Sequence, residues 1–224
     1  MVQAAKKAER ILMCALNGRF RRDAQVLRQF VQKGELGRVF YCKAGWLRKG
    51  SNYGWKSKKA AAGGGVLLDL GVQVLDLALW ILSDARVEAV SASVHIGSGK
   101  QSVEDAAVAL LRLKGGAVVT LEVSWSLNLQ RDVAYLDLFG ERGAAQLTPL
   151  RIHKEMHDNL VNVTPAMDSP RNVYKQSYAA EIEHFIDCIR RRGKPVSSGE
   201  DGLYLMRVVD ALYASADAGQ EVPL

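Results

Sequence analysis

The sequence predicts an α+β fold, in which a large and mostly antiparallel sheet has helices packed on one of its faces. Three observations support this prediction. Apolar residues alternate with a period of two between residues 87 and 153. Tight-turn sequences join these segments without any helix between them. Segments with helical periodicity lie on both sides of this region, and the last of them ends close to the C-terminus.

The central strands follow from their turns. Residues 105–114 and 117–127 flank Gly115-Gly116, which is a strong hairpin signal. Residues 133–139 and 144–153 flank the sequence GERG and predict a second hairpin. Residues 87–96 form a further alternating segment. Consecutive strands with such short connections indicate an antiparallel meander.

The helices are predicted from apolar periodicity and from their end signals. Asp23 opens one helix that Gly34 and Gly37 end, and Ser198 caps the last helix. The apolar run Ile11–Leu16 predicts a fully buried strand. The remaining predicted segments are helices at 2–10, 65–82 and 178–192 and a strand at 39–47.

Composition limits the classes of function. The 224 residues carry a net charge of +6, but residues 1–60 hold fifteen Lys or Arg against three acidic residues. Such a segment can serve nucleic acid, a phosphate-bearing cofactor or an acidic partner, or can simply be solvated. No nucleic-acid motif is recognised, so we expect no nucleic-acid partner. The three separated cysteines indicate neither a disulfide framework nor a zinc site and favour the cytoplasm. No run reaches the ~20 apolar residues of a membrane span.

One helix carries polar residues on an otherwise apolar surface. Residues 63–80 read GGGVLLDLGVQVLDLALW. At 100° per residue, Asp69, Gln73, Asp76 and Trp80 fall within about 60° of one another. This stripe is either a narrow solvent-facing strip or the wall of a cleft, where carboxylates hold hydroxyl groups. The glycine triplet would let the backbone turn sharply and approach a ligand.

This stretch resembles the Gfo/Idh/MocA family of NAD(P)-dependent sugar and polyol oxidoreductases. A helix of that family carries GGG, three residues, Asp, x, Gly, x, His, x, x, Asp. Here the triplet is followed by Asp69, Gly71, Gln73 and Asp76. Further segments match in order along nearly the whole chain: ILMCALNGRF, GELG, VEDA and DALYASADAGQEV. The resemblance implies that residues 1–16 are a helix–strand remnant of a dinucleotide-binding domain. Residues 17–224 would form the substrate-binding and oligomerisation domain.

Two departures from the family matter. The sequence has no GxGxxG after a strand, and the family's Glu-Lys-Pro lysine would lie upstream of Met1. The histidine of the helix motif is Gln73, whose amide binds a hydroxyl but cannot take its proton. Losing a positioned acid–base group typically costs about 10²–10⁴ in rate. We therefore expect a chain that is not catalytically competent alone and binds no NAD or NADP by itself.

The resemblance assigns the candidate site residues. Asp69 and Gln73 are the candidate catalytic residues, and Arg48, Asp69, Gln73 and Asp76 are the candidate substrate-binding residues. Asn17 and Arg19 are candidate cofactor-binding residues because they match a turn that approaches the nicotinamide. No metal site is predicted.

The expected partners also follow from the resemblance. They are a sugar or polyol, a separately encoded nucleotide-binding domain, and further copies of the chain in a homodimer or homotetramer formed through the sheet face. We expect no membrane association. The alternative function is a non-catalytic sugar-binding or assembly module.

Overall fold

One large sheet forms the centre of the molecule. The computed structural model describes residues 1–50, 54–83, 85–97, 102–167 and 172–224. Within these residues, nine strands pair in the order β8-β7-β6-β5-β1-β4-β3-β2-β9. The strands β1 to β9 are Val39–Lys49, Val87–His95, Ala106–Leu113, Val118–Leu127, Val133–Gly140, Gly143–Leu147, Leu150–Met156, Asn159–Asn162 and Val222–Pro223.

The pairing confirms a mostly antiparallel sheet. Strand β1 lies between two meanders, β2–β4 and β5–β8, and is parallel to β4 but antiparallel to β5. All the other pairs are antiparallel. Both predicted hairpins are present. Gly115 and Gly116 adopt φ angles of +103° and +88°, which side chains disfavour, so this turn needs glycine.

The helices cover one face of the sheet. They are α1 to α6, at Val2–Lys7, Arg22–Gln32, Lys59–Ala62, Val72–Ile81, Val173–Arg191 and Gly199–Ala218. Strand β3 shows the division between the faces: Ala107, Ala109 and Leu111 are buried, whereas Val108 and Leu110 are exposed. Helices α2, α4 and α6 pack over the buried face. The Ser198 cap of α6 is confirmed, and its reciprocal partner is Asp201.

Residues 11–16 do not join the sheet. They run extended beside the start of α6, with a single bridge between Met13 and Ser198. The Cys14 amide donates to the Ser197 carbonyl at 2.8 Å. Of the six residues only Leu16 is buried. The prediction of a fully buried strand was wrong, because no sheet strand of the described chain lies beside this segment.

A second prediction failed at a proline. The strand predicted at 144–153 is divided at Pro149 into β6 and β7, which pair with each other. Proline has no amide hydrogen and cannot donate to the ladder, so the chain turns here. The new turn places Thr148 beside the end of β6, where it becomes part of the cleft described below.

The basic N-terminal segment meets acidic groups from the rest of the chain. Its cations pair with carboxylates far along the sequence, in the pairs Lys6–Glu200, Arg19–Asp76, Arg38–Glu141, Arg48–Asp132 and Lys56–Asp69. Among the described residues, five of the fifteen cations of this segment are therefore balanced by carboxylates from the rest of the chain.

The stretch Lys59–Ile81 is long and apolar enough to cross a membrane by length and composition, and 72% of its most apolar window is buried within the fold. It is the central helical segment of the core.

Candidate functional site

The polar stripe begins on an unusual helical turn. Residues Leu67–Gly71 form a π-helical turn that continues directly into α4. The Glu104 carboxylate accepts hydrogen bonds from the amides of Gly65 and Leu67, both at 3.0 Å, and from the Tyr213 hydroxyl at 2.7 Å. The first amides of a helix have no hydrogen-bond partner within the helix, and these contacts supply one. Single π turns inside helices are frequent at functional sites.

The glycine triplet serves this packing. Gly63 turns the chain with a φ angle of +80°. A Cβ on Gly65 would collide with the carbonyl oxygen of Glu104, and one on Gly64 would collide with the Tyr213 hydroxyl. The triplet does turn the backbone sharply, as its sequence indicates. The groups that it approaches closely are Glu104 and Tyr213.

Asp76 lies in a buried ion pair. Its side chain is 5% exposed and that of Arg19 is 7% exposed. The guanidinium donates from Nε to both carboxylate oxygens, at 3.1 and 3.0 Å, and from Nη2 to Oδ1 at 2.6 Å. Arg19 Nη1 also donates to the Val196 carbonyl at 2.7 Å. Asp76 was predicted to bind substrate and Arg19 to bind cofactor, but the structure places them against each other.

Asp69 has a more open environment on the same side of the helix. Lys56 Nζ lies 2.8 Å from Oδ1, and Trp125 Nε1 donates to Oδ2 at 3.1 Å. The Asp69 side chain is 22% exposed and that of Lys56 39% exposed. Gln73 follows one turn later and is exposed, and its Nε2 donates to the Asp69 carbonyl at 3.2 Å. The Gln73 amide therefore presents its Oε1 as an acceptor.

A cleft opens beside Gln73, between the start of α4 and one end of the sheet. It encloses about 650 Å³, including the space that opens to solvent. Its walls combine aromatic and polar side chains: Asn17, Arg21, Trp46, Gln73, Thr148 and Tyr174. A concave surface that is mostly apolar and carries a few polar groups is typical of small-molecule sites.

Local contacts set the polarity of the cleft. Asn17 Nδ2 donates to Ser177 Oγ at 3.0 Å, which fixes the amide at the start of the turn Asn17–Phe20. Arg21 pairs with Asp23 at 2.7 Å, so this cation is balanced. Burial raises the pKa of Tyr174, and the nearby Arg21 only partly opposes this. The Tyr174 hydroxyl is therefore protonated at neutral pH and can donate a hydrogen bond.

The structure brings together some of the predicted residues. Asn17, Gln73 and Asp76 line one cleft, with Asp76 held by Arg19. Asp69 lies on the preceding turn of the helix and is not among the lining residues. Arg48 ends β1, is partly exposed, and pairs with Asp132 at 3.3 Å.

Sequence reasoning missed Lys56, Thr148, Tyr174 and Trp125 as parts of this region. The sequence around Lys56 has no apolar periodicity from which a buried face could be predicted. Thr148 reaches the cleft because Pro149 divides the predicted strand.

Within the described ranges, the glycine triplet and the residues predicted to bind cofactor do not form a cradle for a dinucleotide. A phosphate cradle needs free backbone amides in a glycine-rich turn, but the triplet at 63–65 is packed against Glu104 and Tyr213. The donors of Arg19 are directed at Asp76 and at the Val196 carbonyl. In the described part of the chain, no three His, Cys, Asp or Glu side chains are grouped as metal ligands.

Comparisons with known proteins agree with this architecture. Residues 24–146 match the model of the GFO/IDH/MocA C-terminal domain. D-Glucoside 3-dehydrogenase of Escherichia coli (strain K12) is 30% identical over 243 residues, which include all of this chain and 68% of that protein. The chain also spans 66% of the length of 1,5-anhydro-D-fructose reductase of Ensifer adhaerens and 62% of that of D-apiose dehydrogenase of Paraburkholderia graminis, or about two thirds of these relatives.

Solved structures share the fold. Aldose-aldose oxidoreductase from Caulobacter crescentus, complexed with glycerol, superposes with a TM-score of 0.84 and 25% identity, covering 100% of this chain and 67% of that one. Levoglucosan dehydrogenase in complex with NADH and L-sorbose gives a TM-score of 0.88 at 20% identity, covering 99% and 68%. Because the family model spans more than half of the chain and a 30% identical relative aligns along all of it, the chain belongs to the Gfo/Idh/MocA family of oxidoreductases.

Proposed function

We propose that this chain is the substrate-binding half of an NAD(P)-dependent sugar or polyol oxidoreductase and does not turn over alone. The cleft beside Gln73 is the observation on which this depends. It offers aromatic surfaces from Trp46 and Tyr174 and hydrogen-bonding groups from Asn17, Gln73 and Thr148. A sugar has the complementary surface, with apolar C–H faces and many hydroxyls. The relatives named above act on glucosides, aldoses and levoglucosan.

The proposal assigns binding and orientation to the cleft. Gln73 accepts a hydrogen bond from a substrate hydroxyl through Oε1. The backbone carbonyl of Asp69 holds the Gln73 amide, and its carboxylate holds Lys56. Removal of a hydride from an alcohol also requires a base for the hydroxyl proton. Gln73 has no such capacity, and the dinucleotide has no cradle among the described residues. We therefore place the cofactor, NAD or NADP, on a second, nucleotide-binding domain.

Helix α5 supports such a partner because its apolar side faces outward. Its buried residues are Ser177, Glu181 and Cys188, of which none is a large hydrocarbon. Glu181 Oε1 is buried and has no hydrogen-bond partner among the residues that the structure describes, and burial raises the pKa of this carboxyl. A continuous stripe of large apolar side chains is 40–59% exposed instead: Tyr174, Tyr178, Ile182, Ile186 and Ile189. Exposed apolar patches of this kind mark interaction surfaces.

The stripe begins at Tyr174, which also lines the cleft. A domain docked on α5 would therefore lie next to the bound substrate, as hydride transfer requires. We assign residues 1–16 to the border of that domain and residues 17–224 to the substrate half.

Self-association is a separate part of the proposal. Val108, Leu110 and Phe139 are 58%, 41% and 37% exposed on the strands of the open sheet. A homodimer or homotetramer would cover this face. Light scattering is expected to show a dimer or tetramer that Val108→Glu/Leu110→Glu converts to a monomer. A monomeric parent chain at micromolar concentration contradicts this part.

The three free cysteines agree with a cytoplasmic location.

Sugar binding by the purified chain tests the central proposal. Methyl β-D-glucoside and myo-inositol are titrated by calorimetry and ligand-observed NMR. Tyr174→Ala removes a cleft wall, whereas Tyr178→Ala removes an equally exposed tyrosine one turn along the same helix. We expect Tyr174→Ala to weaken binding about fivefold, or about 1 kcal/mol, and Tyr178→Ala to leave it unchanged. Equal effects of the two variants would contradict the cleft assignment.

A dehydrogenase assay tests the proposal that the chain does not turn over alone. The chain is incubated with NAD or NADP and the same ligands, and NADH or NADPH fluorescence is followed. We expect neither dinucleotide to bind and no turnover. Clear turnover would contradict a substrate half that depends on a partner.

The alternative is a non-catalytic sugar-binding or assembly module, which Gln73 in place of histidine favours. Restoration of activity by a nucleotide-binding partner distinguishes the two functions.

A further inference from the structure

We propose that Lys56 is a substrate-binding residue and that the Lys56–Asp69 pair recognises two hydroxyls on neighbouring carbons. This inference rests on the proposed function and extends its site by one helical turn beyond the cleft. Neither the sequence pattern nor the comparisons assign a role to Lys56. Its ammonium group lies 2.8 Å from Asp69 Oδ1, and the exposed Gln73 amide donates to the backbone carbonyl of the same aspartate.

The surroundings fix the carboxylate in one orientation. Trp125 Nε1 donates to Asp69 Oδ2 at 3.1 Å, and Trp125 itself is fully buried on β4. One carboxylate oxygen is thereby tied to the rigid sheet. The other oxygen meets Lys56 and remains at the partly exposed side of the group. The carboxylate is thus fixed in one orientation, with an ammonium donor beside it.

The loop that carries Lys56 is anchored. Lys56 lies on the short turn Gly54–Ser57, where Ser57 Oγ donates to the Gly54 carbonyl at 2.8 Å. The Ser102 amide donates to the Ser57 carbonyl at 3.0 Å, and Ser102 Oγ accepts from the Lys59 amide at 2.8 Å. These contacts hold the turn against the segment that leads into β3. The position of Lys56 is therefore set by backbone contacts as well as by its ion pair.

The chemistry of the pair matches a vicinal diol. A carboxylate only accepts hydrogen bonds and an ammonium only donates them. One hydroxyl of the diol donates to Asp69 while its neighbour accepts from Lys56, and both bonds involve a charged group, which strengthens them. A ligand whose two hydroxyls are on carbons 1 and 4 of a ring, rather than on adjacent carbons, cannot reach both groups. The selected substrates are therefore sugars and polyols with adjacent free hydroxyls at the position nearest Gln73.

An alternative is that Lys56–Asp69 is an ordinary surface ion pair. Exposed pairs typically contribute about 0–1 kcal/mol to stability and need no ligand. The two interpretations differ in ligand binding, since a surface pair would not discriminate between isomers of one diol.

The test uses the intact chain with trans-1,2-cyclohexanediol and trans-1,4-cyclohexanediol as probes, together with methyl β-D-glucoside. Affinities are taken from ligand-observed NMR titrations. The parent chain is expected to bind the 1,2-diol about tenfold more tightly than the 1,4-diol, or about 1.4 kcal/mol. Lys56→Met is expected to abolish that preference. Lys49→Met, a matched control at the exposed end of β1, keeps it.

Lys56→Arg retains a cation and is expected to keep part of the preference. Circular dichroism and urea midpoints verify that every variant is folded. If Lys56→Met binds both diols as the parent does, or if the parent binds the isomers equally, the proposal is overturned. Methyl β-D-glucoside separates the two failures. If Tyr174→Ala weakens glucoside binding but Lys56→Met does not, this inference is overturned and the proposed function is left intact. No glucoside binding at all contradicts the proposed function itself.

Discussion

Two carboxylates on one helical segment have opposite environments. Asp69 and Asp76 occupy the same side of the segment and look equivalent in the sequence, as two acidic residues in an apolar run. Asp76 is buried beneath the bidentate guanidinium of Arg19, whereas Asp69 stays partly exposed beside Lys56. The comparison shows that the role of a polar residue on a buried helix depends on which distant segment covers it.

The two cations also differ in kind. The planar guanidinium of Arg19 matches both oxygens of Asp76 and comes from a turn packed next to α4. Lys56 offers a single flexible ammonium from a surface turn. A ligand would have to break several hydrogen bonds to reach Asp76 but could join the Asp69 pair with little rearrangement. We therefore propose that Asp76 is mainly structural and that Asp69 is the carboxylate that faces a ligand.

The largest expected effect on stability is at the buried Arg19–Asp76 pair. Arg19→Met leaves the Asp76 charge buried without its guanidinium, and such losses typically cost about 3–5 kcal/mol. Arg38→Met removes an exposed pair with Glu141 and should cost less than about 1 kcal/mol. Urea unfolding at pH 7 measures both. Equal costs would show that the Arg19–Asp76 pair is not the buried structural contact described above.

The next effect is at the start of the segment. Gly65→Ala places a methyl group against the Glu104 carbonyl and should cost about 1–3 kcal/mol, as overpacking does. It also shifts the turn that carries Asp69, so the preference for vicinal diols should weaken. Gly50→Ala is the control, because the nearest atom to its Cβ is 4.0 Å away. Unchanged urea midpoints for Gly65→Ala would contradict the role of the Glu104 contacts.

A third carboxylate, that of Glu181, is buried and has no ion pair with any residue that the structure describes. Burial raises the pKa of Glu181, so the folded chain holds this proton to higher pH than the unfolded chain does, whose value is near 4.5. Stability is therefore lost as pH rises above the unfolded pKa. Glu181→Gln should gain stability relative to the parent between pH 4 and pH 7 in urea titrations. Glu183→Gln, exposed on the same helix, should not. A constant difference across that range would contradict the raised pKa.

The smallest effect concerns Arg48, which the resemblance placed among the substrate-binding residues. It is paired with Asp132 at the surface, outside the lining of the cleft. Arg48→Gln should change stability by less than about 1 kcal/mol and leave glucoside affinity unchanged. A marked loss of affinity in calorimetry would support the prediction that Arg48 binds substrate.

Local signals predicted most of the fold. The period of two, Gly115-Gly116 and the Ser198 cap are short-range features, and each was found where the sequence indicates. The insertion of β1 between the two meanders, parallel to β4, depends on long-range pairing that no local pattern specifies. The same holds for residues 11–16, whose apolar pattern predicts a strand although they pair with the short segment around Ser198 instead of joining the sheet.

The site was predictable in part. The family pattern led to Asp69, Gln73 and Asp76, and the cleft does lie beside this helix. It could not distinguish Asp69 from Asp76, because Arg19 is 57 residues away from Asp76 in sequence. Lys56 lies in a polar loop with many lysines, where nothing in the sequence distinguishes it from Lys58 or Lys59.

The most direct test compares Asp69→Asn with Asp76→Asn for both stability and binding. Urea midpoints and methyl β-D-glucoside affinities are measured for both variants at pH 7. We predict that Asp76→Asn loses several kcal/mol of stability, as expected for a broken buried pair. We predict that Asp69→Asn keeps its stability within about 1 kcal/mol while its glucoside binding falls about tenfold. Loss of binding without loss of stability in Asp76→Asn, together with unaltered binding in Asp69→Asn, would contradict the assignment of the two carboxylates.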